Sequence, residues 1–270
     1  MKKIAVINDI SGFGKCSLTA ALPIISANNM QCCPLVSGVY SNQTGYDSFK
    51  YADLTEYMQG FIDEWKKLGA SFDAIITGFI PNHKQAKIIE KFIDDFKREK
   101  TLIVVDPVMA DGGEKYKGFD DERINAICAL AKKADIITPN ISELCILCGE
   151  DFSKIKGKGA IEKAEKMAES YYKKNSISLV ISGIEISDSE IATGVYDENG
   201  FKTIISKKIG ESFSGTGDIL CANLTCQLLK GKDLYASAEE SCKFIEKAII
   251  QTVGKKDINC ADGVDFEELL

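Results

Sequence analysis

Leu102-Ile103-Val104-Val105-Asp106-Pro107-Val108-Met109-Ala110-Asp111 decides the fold. Residues 102–105 are apolar at every position, so a strand here buries both faces, as in a sheet covered by helices on two sides. The run stops at a carboxylate followed by proline. Asp106 therefore stands at the carboxyl end of a buried strand, where open parallel sheets bind their ligands.

Outward from this run, short β-rich segments alternate with amphipathic helical ones. The pattern predicts strands at 3–7, 32–39, 74–77, 102–105, 136–138, 179–182, 191–196 and 202–206. It predicts helices at 16–27, 54–67, 83–99, 121–133, 142–147, 160–174, 216–230 and 234–253. The expected architecture is α/β, a mostly parallel central sheet between two helical layers. Asp197-Glu198-Asn199-Gly200 reads as a hairpin turn, which adds an antiparallel edge. With no repeat, low-complexity tract or Pro/Gly linker, 1–270 reads as one domain.

The bulk properties narrow the function. A net charge of -7 over 270 residues, with dispersed basic residues, argues against a nucleic-acid surface. The paired lysines Lys66-Lys67, Lys132-Lys133, Lys173-Lys174 and Lys255-Lys256 are expected near helix ends. No stretch reaches the roughly 18 apolar residues of a membrane span, and the N-terminal run is too short for a signal peptide. The expectation is a cytoplasmic enzyme. The 10 cysteines read as reduced, core-packed thiols. Cys145 and Cys148 have CxxC spacing, but no second pair follows and His83 is the lone histidine, so a zinc site is disfavoured.

Polar clusters fall at successive strand ends: Asn8-Asp9, residues 41–44, Gly78-Phe79, Asp106 with Asp111, Thr138-Pro139-Asn140 with Glu143, and Ser182-Gly183. Ser214-Gly215-Thr216-Gly217-Asp218 precedes an apolar helical run and places Gly, Thr and Gly in a helix's first turn. Free amides and the dipole there suit an anion, and a carboxylate beside an anion fits one that takes a proton. A Gly-rich turn with an acidic residue favouring the dipole explains the pentapeptide equally well. Asp106 as a loop cap and Glu143 in a first helical turn have similar structural explanations. Taken together, Asp106, Asp111 and Glu143 could hold Mg²⁺, mostly through water. Gly12-Phe13-Gly14-Lys15-Cys16-Ser17 fails the P-loop pattern, with Asp9 in place of the first glycine and Cys16 in place of Ser/Thr. It also lacks the third glycine of a dinucleotide fingerprint.

With this set assembled, the chain resembles the ribokinase-like superfamily and, within it, the pyridoxal (vitamin B6) kinases. Ser41-Asn42-Gln43-Thr44-Gly45-Tyr46 is similar to that family's Ser-Asn-His-Thr-Gly-Tyr segment. Asp106-Pro107-Val108 with Asp111, Thr138-Pro139-Asn140 with Glu143, and Gly215-Thr216-Gly217-Asp218 match its other signatures. The resemblance implies a three-layer α/β/α fold and ATP-dependent phosphorylation of the 5′-hydroxymethyl group of pyridoxal, pyridoxine or pyridoxamine. Asp218 would be the base, and the backbone of Gly215, Thr216 and Gly217 the anion hole. Asp106, Asp111 and Glu143 would organise Mg²⁺ and the ATP phosphates, while Thr138, Asn140 and Ser182 would contact nucleotide. Asp9, Thr44, Phe79 and Tyr116 would line the substrate side, Tyr116 from a flexible-looking lid at 111–116. A homodimer and a monovalent cation, usually K⁺, are further implications. The chain departs from the family with Asn8-Asp9 in place of Gln-Ser, Gln43 in place of His, and a shorter 10–17 loop containing Lys15. Asp9 is expected to accept a hydrogen bond from a substrate ring or amine. Hydroxymethylpyrimidine kinase is the nearest alternative activity, and a catalytically idle vitamin-binding protein is the alternative class. A sugar kinase is disfavoured for want of an N-terminal insertion.

Overall fold

The strands around 102–105 are apolar on both faces, and each face has its own helical layer. The computed structural model describes residues 1–155, 157, 159–255 and 258–270, so Lys256 of the expected helix-end pair lies outside it. In chain order the elements begin with β1 (Lys3–Ser11), α1 (Ser17–Ala27), β2 (Gln31–Tyr40), β3 (Tyr51–Asp53), α2 (Thr55–Lys67), β4 (Ala74–Thr77), α3 (His83–Phe96) and β5 (Leu102–Val105). A small ribbon, β6 (Ala110–Asp111) and β7 (Glu114–Lys115), precedes α4 (Asp121–Ala131), β8 (Ile136–Ile137), α5 (Ile141–Cys148) and α6 (Ala160–Asn175). Then come β9 (Ser178–Glu185), β10 (Glu190–Asp197), β11 (Gly200–Lys207), α7 (Thr216–Leu229) and α8 (Leu234–Val253).

One sheet has the order β11-β10-β9-β8-β5-β4-β1-β2-β3. The central pairs from β9 to β2 are parallel, and β10 and β11 form the expected antiparallel edge. A second antiparallel edge, β3 on β2, was not predicted. It is short and exposed along its length, so no burial pattern marks it. Alternate side chains of one strand enter different cores. Ile4, Val6, Ile76 and Val104 pack under α1 and α7, whereas Ala5, Ile7, Ile75, Ile103 and Val105 pack under α2, α3 and α4. Full burial of each large aliphatic side chain contributes about 1.5–3 kcal/mol. The apolar-throughout pattern thus becomes a three-layer α/β/α architecture.

Two consequences position the site. From β1 the chain passes through α1 to β2 on one side, yet β4 returns to pair on the other side of β1. That reversal between β1 and β4 is the topological switch point, where such sheets open a crevice. Helix α7 is buried from Ile219 to Gln227, so its N-terminus is fixed at that crevice. Among the described residues, no helix is long and apolar enough to cross a membrane, and all 10 cysteines are free thiols.

Candidate active site

Asp218 lies in the first turn of α7, whose N-cap is Gly215 at φ +80. One carboxylate oxygen, Oδ1, accepts from Asn8 Nδ2 at 3.0 Å, and Oδ2 accepts from the Ser17 N–H at 2.7 Å. Asn8 is itself locked, because its Oδ1 receives the N–H groups of Asp9 at 3.0 Å and Phe79 at 2.9 Å. Gly78 lets the β4 end approach, since a Cβ there would overlap the Asn8 side chain. Three chain segments therefore aim one carboxylate.

Burial pushes the Asp218 carboxyl up to about 6, with the Asp9 charge adding and the Ser17 and Asn8 hydrogen bonds opposing. Asp106, 8% exposed, is pushed up to about 8 by burial and then by Asp218. Glu143 is raised by burial and then by Asp106. None of these carboxylates forms an ion pair with a described Lys, Arg or His. A cavity of about 10 Å³, room for one water-sized group, lies among Asn8, Thr77, Gly78, Asp106, Asp218 and Cys221. The buried Thr77 hydroxyl beside it has no protein partner.

The structure separates residues that the sequence grouped. Both Glu143 oxygens are taken by backbone, Oε1 by the Met109 N–H at 3.0 Å and Oε2 by the Asn140 N–H at 2.9 Å. Asn140 caps α5 through the Glu143 N–H at 3.0 Å and donates to the Ala110 carbonyl at 2.7 Å. The pair forms a capping box that also holds the turn after β5. Asp111 is exposed and accepts from the Gly112 N–H at 2.8 Å. Among the described residues no three His, Cys, Asp or Glu side chains converge tightly enough to chelate a metal directly, so Asp106, Asp111 and Glu143 do not make a chelating triad. The uncompensated oxygen donors still suit Mg²⁺ in its usual mode of one or two carboxylates, waters and substrate phosphates.

Asp9 is not in a loop after β1 as expected. A register shift between Asn8 and Ile10 lets β1 run on to Ser11, which draws Asp9 into the strand at 5% exposure. Its oxygens accept from Ser17 Oγ at 2.6 Å and Ser11 Oγ at 3.1 Å. The 111–116 segment is the β6–β7 ribbon, tied at Gly113 N–H to Ser142 Oγ at 2.9 Å. Part of the Tyr116 ring reaches solvent, yet its phenol is held above its ordinary range by the packing around it. The nearby charges of Glu143, Asp111, Asp106 and Asp218 add to that shift, and the ring packs edge-on to Phe119 at 5.8 Å. Ser182 lies beside Asn140 across a single parallel bridge, and Thr138 is buried at the β8 end.

Thr44 is exposed, on a loop held by its neighbour. Gln43 Nε2 donates to the Ala261 carbonyl at 3.1 Å and its Oε1 accepts from the Gly45 N–H at 2.6 Å. Lys15 N–H donates to the Asp262 carbonyl at 2.9 Å, and Ser214 N–H to the Cys260 carbonyl at 3.1 Å. The segment around 260–262 thus gathers the 12–16, 43–46 and 214–215 loops. Sequence reading missed that role, and those of Asn8, Ser17 and Arg123. Phe79 packs edge-on to Tyr40 at 5.7 Å, and Tyr40 stacks on Tyr51 at 5.1 Å. Behind them the Arg123 guanidinium lies 3.3 Å from the Phe119 ring centre and 4.9 Å from that of Phe79.

The phosphomethylpyrimidine kinase family model matches residues 22–261. The chain belongs to the phosphomethylpyrimidine kinase family. Like other members it has the ribokinase-like fold and is an ATP-dependent small-molecule kinase. A Bacteroides thetaiotaomicron protein assigned to the same kinase class, crystallised in an orthorhombic form with pyridoxal, is 33% identical with a TM-score of 0.93. That match covers 99% of this chain and 94% of that one. The pyridoxine/pyridoxal/pyridoxamine kinase of Bordetella avium is 22% identical over 248 residues, 89% of this chain and 82% of the relative. The hydroxymethylpyrimidine/phosphomethylpyrimidine kinase of Aquifex aeolicus is 27% identical over 175 residues, 64% of this chain and 65% of the relative. The named activities of these relatives thus divide between B6 vitamers and hydroxymethylpyrimidines.

Proposed function

We propose that this chain transfers the γ-phosphoryl group of ATP to the 5′-hydroxymethyl group of a B6 vitamer, giving the 5′-phosphate and ADP. The observation that carries the reading is Asp218, aimed by Asn8 and Ser17 at the start of α7, one turn from the Gly215–Gly217 amides. Each Asp218 oxygen receives one protein donor and keeps a lone pair for the substrate alcohol. Asp218 orients that alcohol and takes its proton, while the helix-start amides meet the charge on the transferring group. Mg²⁺, when bound, neutralises phosphate charge, and Asp106, with Asp111 through water, is the group that would hold it. Thr138 and Ser182 lie on the nucleotide side, where Asn140 and Glu143 act by fixing the loop at 109–110. Phe79 and Tyr116 flank the vitamer, Thr44 meets its ring, and Tyr116 shields the reacting oxygens from water. The same reading takes 1–270 as one catalytic domain and includes a homodimer and a K⁺ requirement.

The likeness to the pyridoxal-bound Bacteroides protein favours B6 vitamers, and the Aquifex relative favours hydroxymethylpyrimidine as the second reading. The deciding assay measures ADP release with pyridoxal, pyridoxine, pyridoxamine, hydroxymethylpyrimidine and ribose in parallel, with and without Mg²⁺ and K⁺. The highest kcat/KM is expected with a B6 vitamer, and a clear preference for hydroxymethylpyrimidine would transfer the chain to the second reading.

The raised carboxyl of Asp218 sets the pH dependence. The base works ionised, so kcat/KM should climb through about pH 6 and level off above it. Stability moves the other way. A carboxyl whose folded pKa lies above its unfolded value of 3.8 binds more protons when folded. Its contribution is fully present below that unfolded value and is lost as pH rises through about 6. A pH–rate profile with a flat acid limb down to pH 5 would remove Asp218 as the base.

A further inference from the structure

Ser17 has φ +50, in the left-handed region, at the first residue of α1. A non-glycine residue there costs about 1–2 kcal/mol, and nothing at the start of a helix requires it. The conformation makes two contacts. The Ser17 N–H, normally one of the unpaired donors of a helix start, points at Asp218 Oδ2, and the Ser17 hydroxyl donates to Asp9 Oδ1. Asp9 has its second oxygen on Ser11 and is buried at 5% exposure, so its carboxylate is engaged within the chain and turned to Ser17.

We propose that Asp9 and Ser17 form a bracket that holds Asp218 in its reactive orientation, Asp9 fixing the Ser17 side chain and the strained Ser17 backbone fixing Asp218. Both are positioning residues, a role for Asp9 separate from the substrate contact expected from the sequence. The inference rests on the reading of Asp218 as the base. Local strain is used here to orient a carboxylate that its own side-chain rotamers would otherwise leave free.

The test compares kcat and KM for pyridoxal, pyridoxine and pyridoxamine in the parent, Asp9→Asn, Ser17→Ala, Ser17→Gly, Ser17→Asn and Asp218→Asn, with thermal melts on each. Ser17→Ala is expected to lower kcat by about 10- to 100-fold, equally for every vitamer, with KM changed less than about twofold. Ser17→Asn, which tolerates the left-handed conformation and can donate to Asp9, should recover most of the loss. Ser17→Gly keeps the fold and the N–H without the hydroxyl, and should fall between the two. Combined with Asp218→Asn, Ser17→Ala should cost nothing further, because it acts through Asp218. Additive losses, an unchanged kcat, or a KM change confined to one vitamer would overturn the bracket. Full activity of Asp218→Asn alone would instead overturn the reading beneath it.

Discussion

Asp218→Asn should lower kcat by about 10²- to 10⁴-fold, the usual contribution of a positioned general base, while the protein remains folded. The geometry explains why the two effects separate. Asn8 and Ser17 place a donor on each Asp218 oxygen, and asparagine can accept only one of those bonds. Loss of the other costs on the order of 1 kcal/mol. Against it stands the removal of a half-buried carboxylate with no described ion-pair partner, whose ionisation is opposed by burial up to about pH 6. That gain is on the order of 2–3 kcal/mol at pH 7, so the melting temperature at pH 8 should hold or rise. ADP release and a thermal melt on the same preparation check both halves. An active variant, or an inactive one that has also unfolded, would contradict this account of Asp218.

Gly215→Ala should be damaging for a different reason. Gly215 has φ +80, and a Cβ there would overlap the carbonyl oxygen of Lys15. Lys15 cannot retreat freely, because its N–H is bonded to the Asp262 carbonyl and its ammonium pairs with Asp265 at 2.5 Å and Glu267 at 2.9 Å. Either the 12–16 loop or the start of α7 must move. The first leads directly into the Ser17 donor at the start of α1, and the second carries the amides that would meet the phosphoryl group. The conformational cost alone is about 1–2 kcal/mol, and the overlap adds to it. A melting temperature lower by about 5 °C or more is expected, with kcat down about 10²-fold or more. Gly231→Ala is the control. It has φ +93, but a Cβ there meets nothing within 4 Å, so it should lose a little stability and no activity. Equal effects of the two substitutions would mean that only backbone strain matters at Gly215.

Much of the scaffold was legible because burial on two faces leaves a local signature. Residues 74–77 and 102–105 matched their strands, and the helix at 216–230 matched α7 to within a residue. The signal failed where burial was absent or interrupted. β3 at Tyr51–Asp53 is exposed, so nothing distinguished it from a loop, and β1 was cut at residue 7 because polar side chains follow. The chemistry of the site was legible as a set of residue types. What each carboxylate does was not. Glu143 and Asp106 are both acids beside strand ends, but Glu143 spends its oxygens on the Met109 and Asn140 amides. Asp106 stays with the uncompensated acidic group around Asp218.

From the sequence alone came the alternation that makes a covered parallel sheet, the anion-suited turn at 214–218, and the 41–46 segment that directs the reading to vitamin kinases. The first two are local properties read from residue types at fixed spacing, and the third rests on resemblance to the vitamin kinases. Only the folded chain could show that Asn8, Ser17 and Asp218 meet, for they lie more than 200 residues apart at the extremes. It also gave Asp9 to Ser17, Glu143 to its own loop, and the 260–262 segment to the three loops it gathers. Those assignments depend on which donors the topology brings within about 3 Å of each acceptor. A hydrogen bond is lost when its partners separate by less than one residue's width, and no spacing in the sequence encodes that proximity.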